Sequence, residues 1–269
     1  MQILFDTARA AVALCFLLYA SWSDYKTREV SDIVWMLLAP LGFALTFTEI
    51  YMYEAAQLQL YGICFGLTAL FAIIIFYSGG FGGADAKALM CLALILPFFP
   101  TKLLSPLSGT ISPISQMLFP LTIFSNSVLL AALTAVLMLF YNGFWRLKTR
   151  RRLFNGNYEN QSFGRKVLIL VTGYRVRISK LKEKWHVYPL EDASTNDENK
   201  IARKLIVVPR DEGRTEIVER LEKAVANGTI KDSIWATPGL PFLIFFTLGL
   251  ILALFFGDIV WICIRFLFA

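Results

Sequence analysis

Two aspartates that are far apart in the sequence each stand beside a long apolar run. Asp24 lies at the end of the first run, and Asp85 begins a later run, directly after a glycine-rich turn. A carboxylate beside a membrane segment is costly, so its presence suggests a role. We expect the two side chains to meet. Two carboxyl groups that share one proton can hydrolyse an amide bond, because one accepts a proton from water while the other protonates the leaving amine. The two would titrate as a unit, and this chemistry predicts neither a metal nor a cofactor.

The elements that position these side chains are predicted to be membrane helices. The chain of 269 residues is 57% hydrophobic and only 17% charged, with a mean hydropathy of +0.58. Several apolar runs reach about 20 residues, which is enough to cross a bilayer. The alternating hydrophobicity of an outer-membrane barrel is absent, so the spans should be helical. We therefore predict an all-α membrane protein with six transmembrane helices, at about residues 5–24, 33–50, 59–77, 84–98, 120–145 and 239–268.

A polar insert separates the fifth and sixth spans. Residues 146–237 carry 20 Lys and Arg against 12 Asp and Glu, whereas the rest of the chain is slightly acidic. We predict a membrane domain over 1–145 that holds both aspartates, a small mixed α/β domain over 146–237, and the last span within 238–269. Within the insert, the patterns predict strands at 166–171, 174–178 and 204–209 and a helix at 212–226.

The basic residues predict the orientation of the chain in a cell membrane. Lys26, Arg28, Lys87 and the insert fall on one side of a six-span alternation, and Lys102 is the exception. The positive-inside rule places that side in the cytoplasm and the N-terminus outside. Both aspartates then lie on the cytoplasmic side. A basic patch could also serve nucleic-acid binding, but no motif supports that partner.

The glycine turn before Asp85 has two interpretations. A glycine-rich turn between spans is usually only a turn. In the functional interpretation, Gly82 and Gly83 adopt φ angles barred to other residues and allow an extended peptide to approach the backbone. Lys87 either takes part in positioning or anchors its helix at the interface. Arg28 either serves the site or is only a positive-inside residue.

Three segments resemble the archaeal branch of the type IV prepilin peptidases, a family of aspartyl membrane proteases that includes the preflagellin peptidases. The segment from Gly82 to Lys87 is similar to the family's GxGDxK motif, with Ala84 where the strict motif has glycine. Residues 23–30, followed by Trp35, resemble the segment that carries the family's first catalytic aspartate. Residues 234–241 are similar to the archaeal branch.

The resemblance implies a function and a set of site residues. It implies an endopeptidase that removes short, positively charged leaders from archaellins or pilin-like precursors at the cytoplasmic membrane face. The catalytic residues would be Asp24 and Asp85. Residues that position the motif or the substrate would be Gly82, Gly83, Ala84, Lys87 and Arg28. The cysteine-rich zinc segment of the bacterial branch is absent, so we expect peptidase activity without methyltransferase activity.

Two alternatives use the same aspartates differently. A presenilin-like intramembrane protease also has a GxGD aspartate, but its companion lies deep within a span, whereas Asp24 has Lys26 and Arg28 beside it. A transporter or channel could use Asp24 and Asp85 as relay residues. That function would require polar residues within several spans, and these spans contain few.

Overall fold

The computed structural model describes residues 1–150, 153–154, 158, 161–195, 201–206 and 213–268, and these fall into two units. The first unit comprises residues 1–131 and 241–269, and the second comprises residues 132–240. The helices are α1 (Gln2–Thr27), α2 (Asp32–Tyr53), α3 (Leu58–Tyr77), α4 (Gly83–Ile95), α5 (Pro113–Met117), α6 (Phe119–Thr149), α7 (Phe163–Thr172), α8 (Ile178–Glu183), α9 (Arg214–Ala226), α10 (Phe242–Phe256) and α11 (Ile259–Phe268). The strands are β1 (Tyr174–Val176), β2 (Val187–Pro189), β3 (Glu191–Thr195), β4 (Ile201–Leu205) and β5 (Ile234–Pro238).

Helices of the predicted membrane-spanning type dominate the chain. Within the described residues, four helices are long and apolar enough to cross a membrane, namely α1, α2, α3 with the short 3₁₀ turn before it, and α6. The pair α10 and α11 would provide a fifth span if it crosses as one unit. The prediction of a helical membrane protein with a small sheet-containing insert is therefore confirmed. The number of six spans stays a prediction, because α4 has only 13 residues.

Helix α4 ends early, and its last carbonyl groups are satisfied by other elements. Pro97 cannot continue the helix, which ends at Ile95. Three of the carbonyl groups at and beyond this end accept hydrogen bonds from side chains of α2 and α3. The donors are Tyr61 Oη to Leu94 O at 2.9 Å, Thr46 Oγ1 to Ile95 O at 3.1 Å, and Cys64 Sγ to Pro97 O at 3.4 Å. These donors replace the solvent that would cap a helix end in water.

Close packing fixes α4 against α2. A methyl group on Gly42 of α2 would lie 2.8 Å from Cβ of Ile95, so only glycine allows the two backbones to approach this closely. The core around them consists of buried apolar side chains from α1, α2, α4 and α10, including Leu38, Leu89 and Leu92. Helix α4 is thus enclosed along most of its length.

The last apolar segment is bent, contrary to the continuous span predicted over 239–268. Helices α10 and α11 meet at 54° across Gly257 and Asp258. Gly257 has a φ of +82°, a conformation that favours glycine. Asn126 of α6 satisfies the interrupted backbone, since it donates to Gly257 O at 2.9 Å and accepts from Ile259 N at 3.1 Å. Asp258 caps α11 by accepting from the N–H of Trp261 at 3.0 Å.

The second unit combines helices with two small antiparallel sheets. The strand order is β1-β5-β2 in one sheet, and β3 pairs with β4 in the other. The predicted strand at 174–178 is confirmed only over 174–176 by β1, because Ile178 begins α8. The predicted helix is confirmed by α9, although residue 212 lies outside the described residues. Strand β4 falls earlier than the predicted 204–209, of which 207–209 are not described. The predicted strand at 166–171 is wrong, because this segment forms α7.

Candidate active site

The carboxyl groups of Asp24 and Asp85 lie close enough to interact electrostatically. Asp24 belongs to the last turn of α1, and Asp85 belongs to the first turn of α4. Both side chains are only partly exposed. The two sequence-predicted aspartates are therefore brought together at one end of the helices of the first unit. No hydrogen bond joins the two carboxyl groups within the described part of the chain, so they are neighbours rather than a bonded pair.

The backbone of the glycine turn holds the Asp85 carboxyl group. The N–H of Gly82 donates to Oδ2 of Asp85 at 3.2 Å. A methyl group on Gly82 would lie 3.2 Å from that same oxygen atom, which is tighter than an ordinary contact. The expectation that Gly82 and Gly83 need unusual φ angles is wrong: Gly82 has a φ of −72°, and the left-handed residue of the turn is Gly79, at +78°. Gly82 leaves space for the Asp85 carboxyl group, and its backbone angles do not call for glycine.

A phenylalanine within the same turn anchors it to the protein interior. The ring of Phe81 packs 5.6 Å from Phe124 of α6 and 5.4 and 6.1 Å from Phe242 and Phe246 of α10, measured between ring centroids. Ala84 also packs against the core of the first unit. The methyl group at the position where the motif has glycine is therefore accommodated. Sequence reasoning missed Phe81, because the glycines around it made the turn look free of packing.

Helix α10 supports Asp24 from the other side. One turn before Asp24, Ser21 Oγ donates to Leu243 O at 2.8 Å and pairs with Thr247 Oγ1 at 2.7 Å. Thr247 Oγ1 also lies 3.2 Å from Leu17 O, so the two hydroxyl groups and these carbonyl acceptors form a buried polar clamp between α1 and α10. The backbone N–H of Leu243, in the first turn of α10, faces the Asp24 carboxyl group.

Each aspartate therefore lies beside the amino-terminal end of a helix, which for Asp85 is its own helix and for Asp24 is the neighbouring helix α10. Asp85 is in the first turn of α4, and Asp24 faces the first turn of α10. Helix amino termini carry a partial positive charge and free N–H groups, which stabilise a nearby carboxylate. The sequence carries one signal for this role of α10, because residues 234–241, directly before the helix, are among the segments that resemble the archaeal branch of the family.

The two predicted basic residues have different surroundings. Arg28 ends α1 in a left-handed conformation with a φ of 59°, and its charge acts on Asp24. Lys87 instead pairs with Asp32, with 2.6 Å between Nζ and Oδ1, and so joins α4 to the start of α2. Arg28 thus belongs to the immediate surroundings of the pair, whereas Lys87 fixes the position of the helix that carries Asp85.

A second cluster of charges, which sequence reasoning missed, lies at the far end of α1. Arg9 is buried between Asp6 and Glu49, with 2.7 Å to the Glu49 carboxylate, and Asp6 also accepts from the N–H of Lys102 at 3.2 Å. The cluster borders a cavity of about 250 Å³. Asp6 and Asp24 are separated along α1 by about 27 Å, at 1.5 Å per residue. Within the described residues, no group of three or more His, Cys, Asp or Glu side chains could hold a metal ion.

Two family models match the chain. Residues 11–144 match the type IV leader peptidase family, and residues 165–259 match the type II C-terminal region of archaeal A24 peptidases. The first match contains both aspartates, and the second contains most of the second unit and all of α10.

Three curated relatives are similar over almost the whole chain, and each is named a preflagellin peptidase. The relative from Methanococcus voltae is 27% identical over 259 residues, which cover 92% of this chain and 94% of the relative. The relative from Methanocaldococcus jannaschii is 23% identical over 247 residues, which cover 90% of this chain and 91% of the relative. The relative from Methanococcus maripaludis is 21% identical over 248 residues, which cover 90% of this chain and 92% of the relative.

Proposed function

Because the chain belongs to the type IV leader peptidase family, we propose that it is an aspartyl endopeptidase that removes leader peptides from preflagellin-like and pilin-like precursors. The observation that carries the proposal is the juxtaposition of Asp24 and Asp85, which come from helices α1 and α4. The names of the relatives support a flagellin precursor as the substrate.

The proposed mechanism uses a water molecule between the two carboxyl groups. The mechanism requires that the pair share one proton, which the repulsion between two neighbouring carboxylates favours. The ionised carboxylate accepts a proton from the water as its oxygen attacks the scissile carbonyl carbon. The protonated carboxyl group donates its proton to the leaving nitrogen atom as the C–N bond breaks. We assign neither role to one residue, since the pair shares its proton.

Backbone groups around Asp24 and Asp85 would restrict the movement of the two carboxyl groups. The Gly82 N–H and the first turn of α10 would hold the two carboxyl groups in fixed directions, which lowers the cost of reaching the reactive geometry. The exposed glycine turn would offer its backbone to an extended substrate. Arg28 would favour the ionised form of Asp24 during the attack.

The proposed topology has six crossings, with the catalytic end in the cytoplasm. Asp24 and Asp85 are neighbours at one end of α1, while Asp6 and Lys102 are neighbours at the other. Residues 85–102 therefore cover the same depth as residues 6–24, although α4 is helical for only part of this path. Arg28 and Lys87 near the aspartates, and the basic residues after α6, favour the cytoplasmic side.

A relay function for the two aspartates fits less well. Between Asp6 and Asp24, the buried face of α1 consists of apolar residues apart from Arg9 and Ser21, including Ala13, Leu17 and Ala20. A proton or ion pathway would require polar groups or water through this layer. The charged cluster at the far end is thus separated from the candidate site by a layer of buried apolar residues.

The proposal can be tested with purified protein in lipid nanodiscs. The protein is mixed with a panel of leader-bearing preflagellins and prepilins, and mass spectrometry identifies the shortened product and the cut site. We expect cleavage by the wild-type protein and none by Asp24→Asn or Asp85→Asn, with all three equally folded. The variant Glu29→Gln is the matched control, because it removes an exposed carboxylate close to the end of α1. Cleavage by either dyad variant at the wild-type rate would reject the mechanism.

A further inference from the structure

Helix α7 has an apolar face that the protein leaves uncovered. Phe163 is 82% exposed, and Val167, one turn later, is 38% exposed. With Val171 they recur every four residues and share one face of the helix. Ile169 is the one fully buried residue of α7, and it faces the core of the second unit. The helix therefore presents one side to the interior and a separate apolar strip to its surroundings.

A basic side chain lies next to this strip. Lys166 follows Phe163 at a flanking position on the helix and is partly exposed, whereas Arg165 lies on the opposite side. Lys166 forms no ion pair within the described residues. Apolar residues on one face with basic residues beside them are typical of helices that lie in the headgroup region of a bilayer. The strip is too narrow and too short for a membrane span, since α7 has ten residues.

A buried asparagine ties α7 to the helix that leaves the membrane. Asn142 of α6 donates to Leu170 O at 2.9 Å and to Gly173 O at 2.7 Å, so it satisfies carbonyl groups at the end of α7. Asn142 lies within the last apolar stretch of α6, one turn before the basic residues Arg146 and Lys148. The exposed aromatic residues Tyr141 and Phe144 flank it. This is the depth at which a membrane helix passes from hydrocarbon to headgroups.

We propose that α7 is an interfacial helix whose partner is an anionic lipid surface. Phe163 and Val167 enter the acyl boundary of the leaflet at the carboxyl end of α6, and Lys166 beside them binds a lipid phosphate. The hydrogen bonds from Asn142 set the depth of the helix. The second unit is then attached to the bilayer by two elements, α6 and α7, rather than by its chain connections alone.

Photocrosslinking in the full-length protein tests the proposal directly. Benzoylphenylalanine is introduced at position 163, where it keeps an aromatic ring, and at position 165 as a control on the opposite side of the same helix. Each protein is placed in nanodiscs of phosphatidylcholine alone or with phosphatidylglycerol, irradiated, and digested for mass spectrometry. We expect lipid adducts from position 163 in the anionic nanodiscs, and few from position 165.

A charge variant tests the lipid class. In the protein that carries the probe at position 163, Lys166→Gln should lower the adduct yield about fivefold in anionic nanodiscs, because a basic residue near such a surface raises affinity about fivefold. Arg165→Gln, on the opposite side of the helix, should leave the yield unchanged. Equal yields from positions 163 and 165, or adducts with protein instead of lipid, would overturn the interfacial helix. Equal yields from position 163 in neutral and anionic nanodiscs would overturn the anionic partner.

Discussion

Replacing Gly82 with alanine separates the positioning of Asp85 from the folding of the turn. The φ and ψ angles of Gly82, −72° and 159°, suit alanine, so the backbone has no reason to change. The variant also keeps the N–H that Asp85 accepts from. The only addition is a methyl group 3.2 Å from Oδ2 of Asp85, where an ordinary contact begins at 3.4 Å. The carboxyl group must therefore move by a few tenths of an ångström.

The size of the effect follows from this displacement. A misplacement of about 1 Å at a catalytic group can cost about 100-fold in rate, so a few tenths of an ångström should lower kcat roughly three- to tenfold. The free energy of unfolding should not fall. Alanine reduces the freedom of the unfolded chain, which stabilises a protein by about 0.4–1 kcal/mol where the native angles suit it.

The assay compares cleavage of a preflagellin by wild type, Gly82→Ala and Gly83→Ala in the same nanodiscs, together with their thermal unfolding. Gly83→Ala is the matched control, because its methyl group would lie 3.8 Å from Cε2 of Phe76, an ordinary contact. Any effect of Gly83→Ala should fall on KM, since the substrate passes beside the turn. An unchanged kcat in Gly82→Ala, or a larger kcat loss in Gly83→Ala, would refute the steric reasoning.

Three further predictions concern the chemistry and the supports of the site. A chelator such as EDTA should leave the cleavage rate unchanged, because two carboxyl groups suffice for the reaction; a loss that added metal restores would contradict the dyad. Thr247→Val should lower the free energy of unfolding by about 0.5–1.5 kcal/mol, since it removes the hydroxyl that pairs with Ser21 while Ser21 keeps Leu243 O as its acceptor. It should also lower kcat, whereas Thr48→Val, at an exposed threonine of α2, should not. Equal kcat values in the two variants would argue against a role of the clamp. Gly42→Leu should destabilise the protein by about 1–3 kcal/mol or more, because α2 and α4 have no room for a side chain there. Unfolding by denaturant measures the change, and a neutral result would show that the two helices can separate.

The long helices could be predicted from the sequence because hydrophobic length alone determines them. The segments predicted at 33–50 and 59–77 correspond to α2 and α3 within a few residues. The bend between α10 and α11 could not be predicted in this way, because its interrupted backbone is stabilised by Asn126, a residue over a hundred positions away. The error at α7 has a similar origin, since its β-branched run favours a strand locally while Ser162 and Asn142 cap a helix.

The proximity of the aspartates could be predicted from topology, but their supports could not. Counting spans placed both carboxyl groups at the same side of the membrane. The supports come from residues with no local signal, such as Phe81 in a glycine-rich turn and Thr247 in a uniformly apolar helix. The pairing of Arg9 with Glu49 was missed for the same reason, because each residue alone resembles an ordinary flanking charge.

The capped end of α4 bears on which residue of the proposed catalytic pair can move. Its final carbonyl groups depend on donors fixed to α2 and α3, and sliding the helix along its axis would strip several of them at once, at a cost of several kcal/mol for each group within a lipid environment. Movement of Asp85 along the axis of α4 is therefore opposed. If the proposed pair opens to admit a precursor and closes for the reaction, we expect Asp24 to provide the displacement, through a tilt of α1 together with α10.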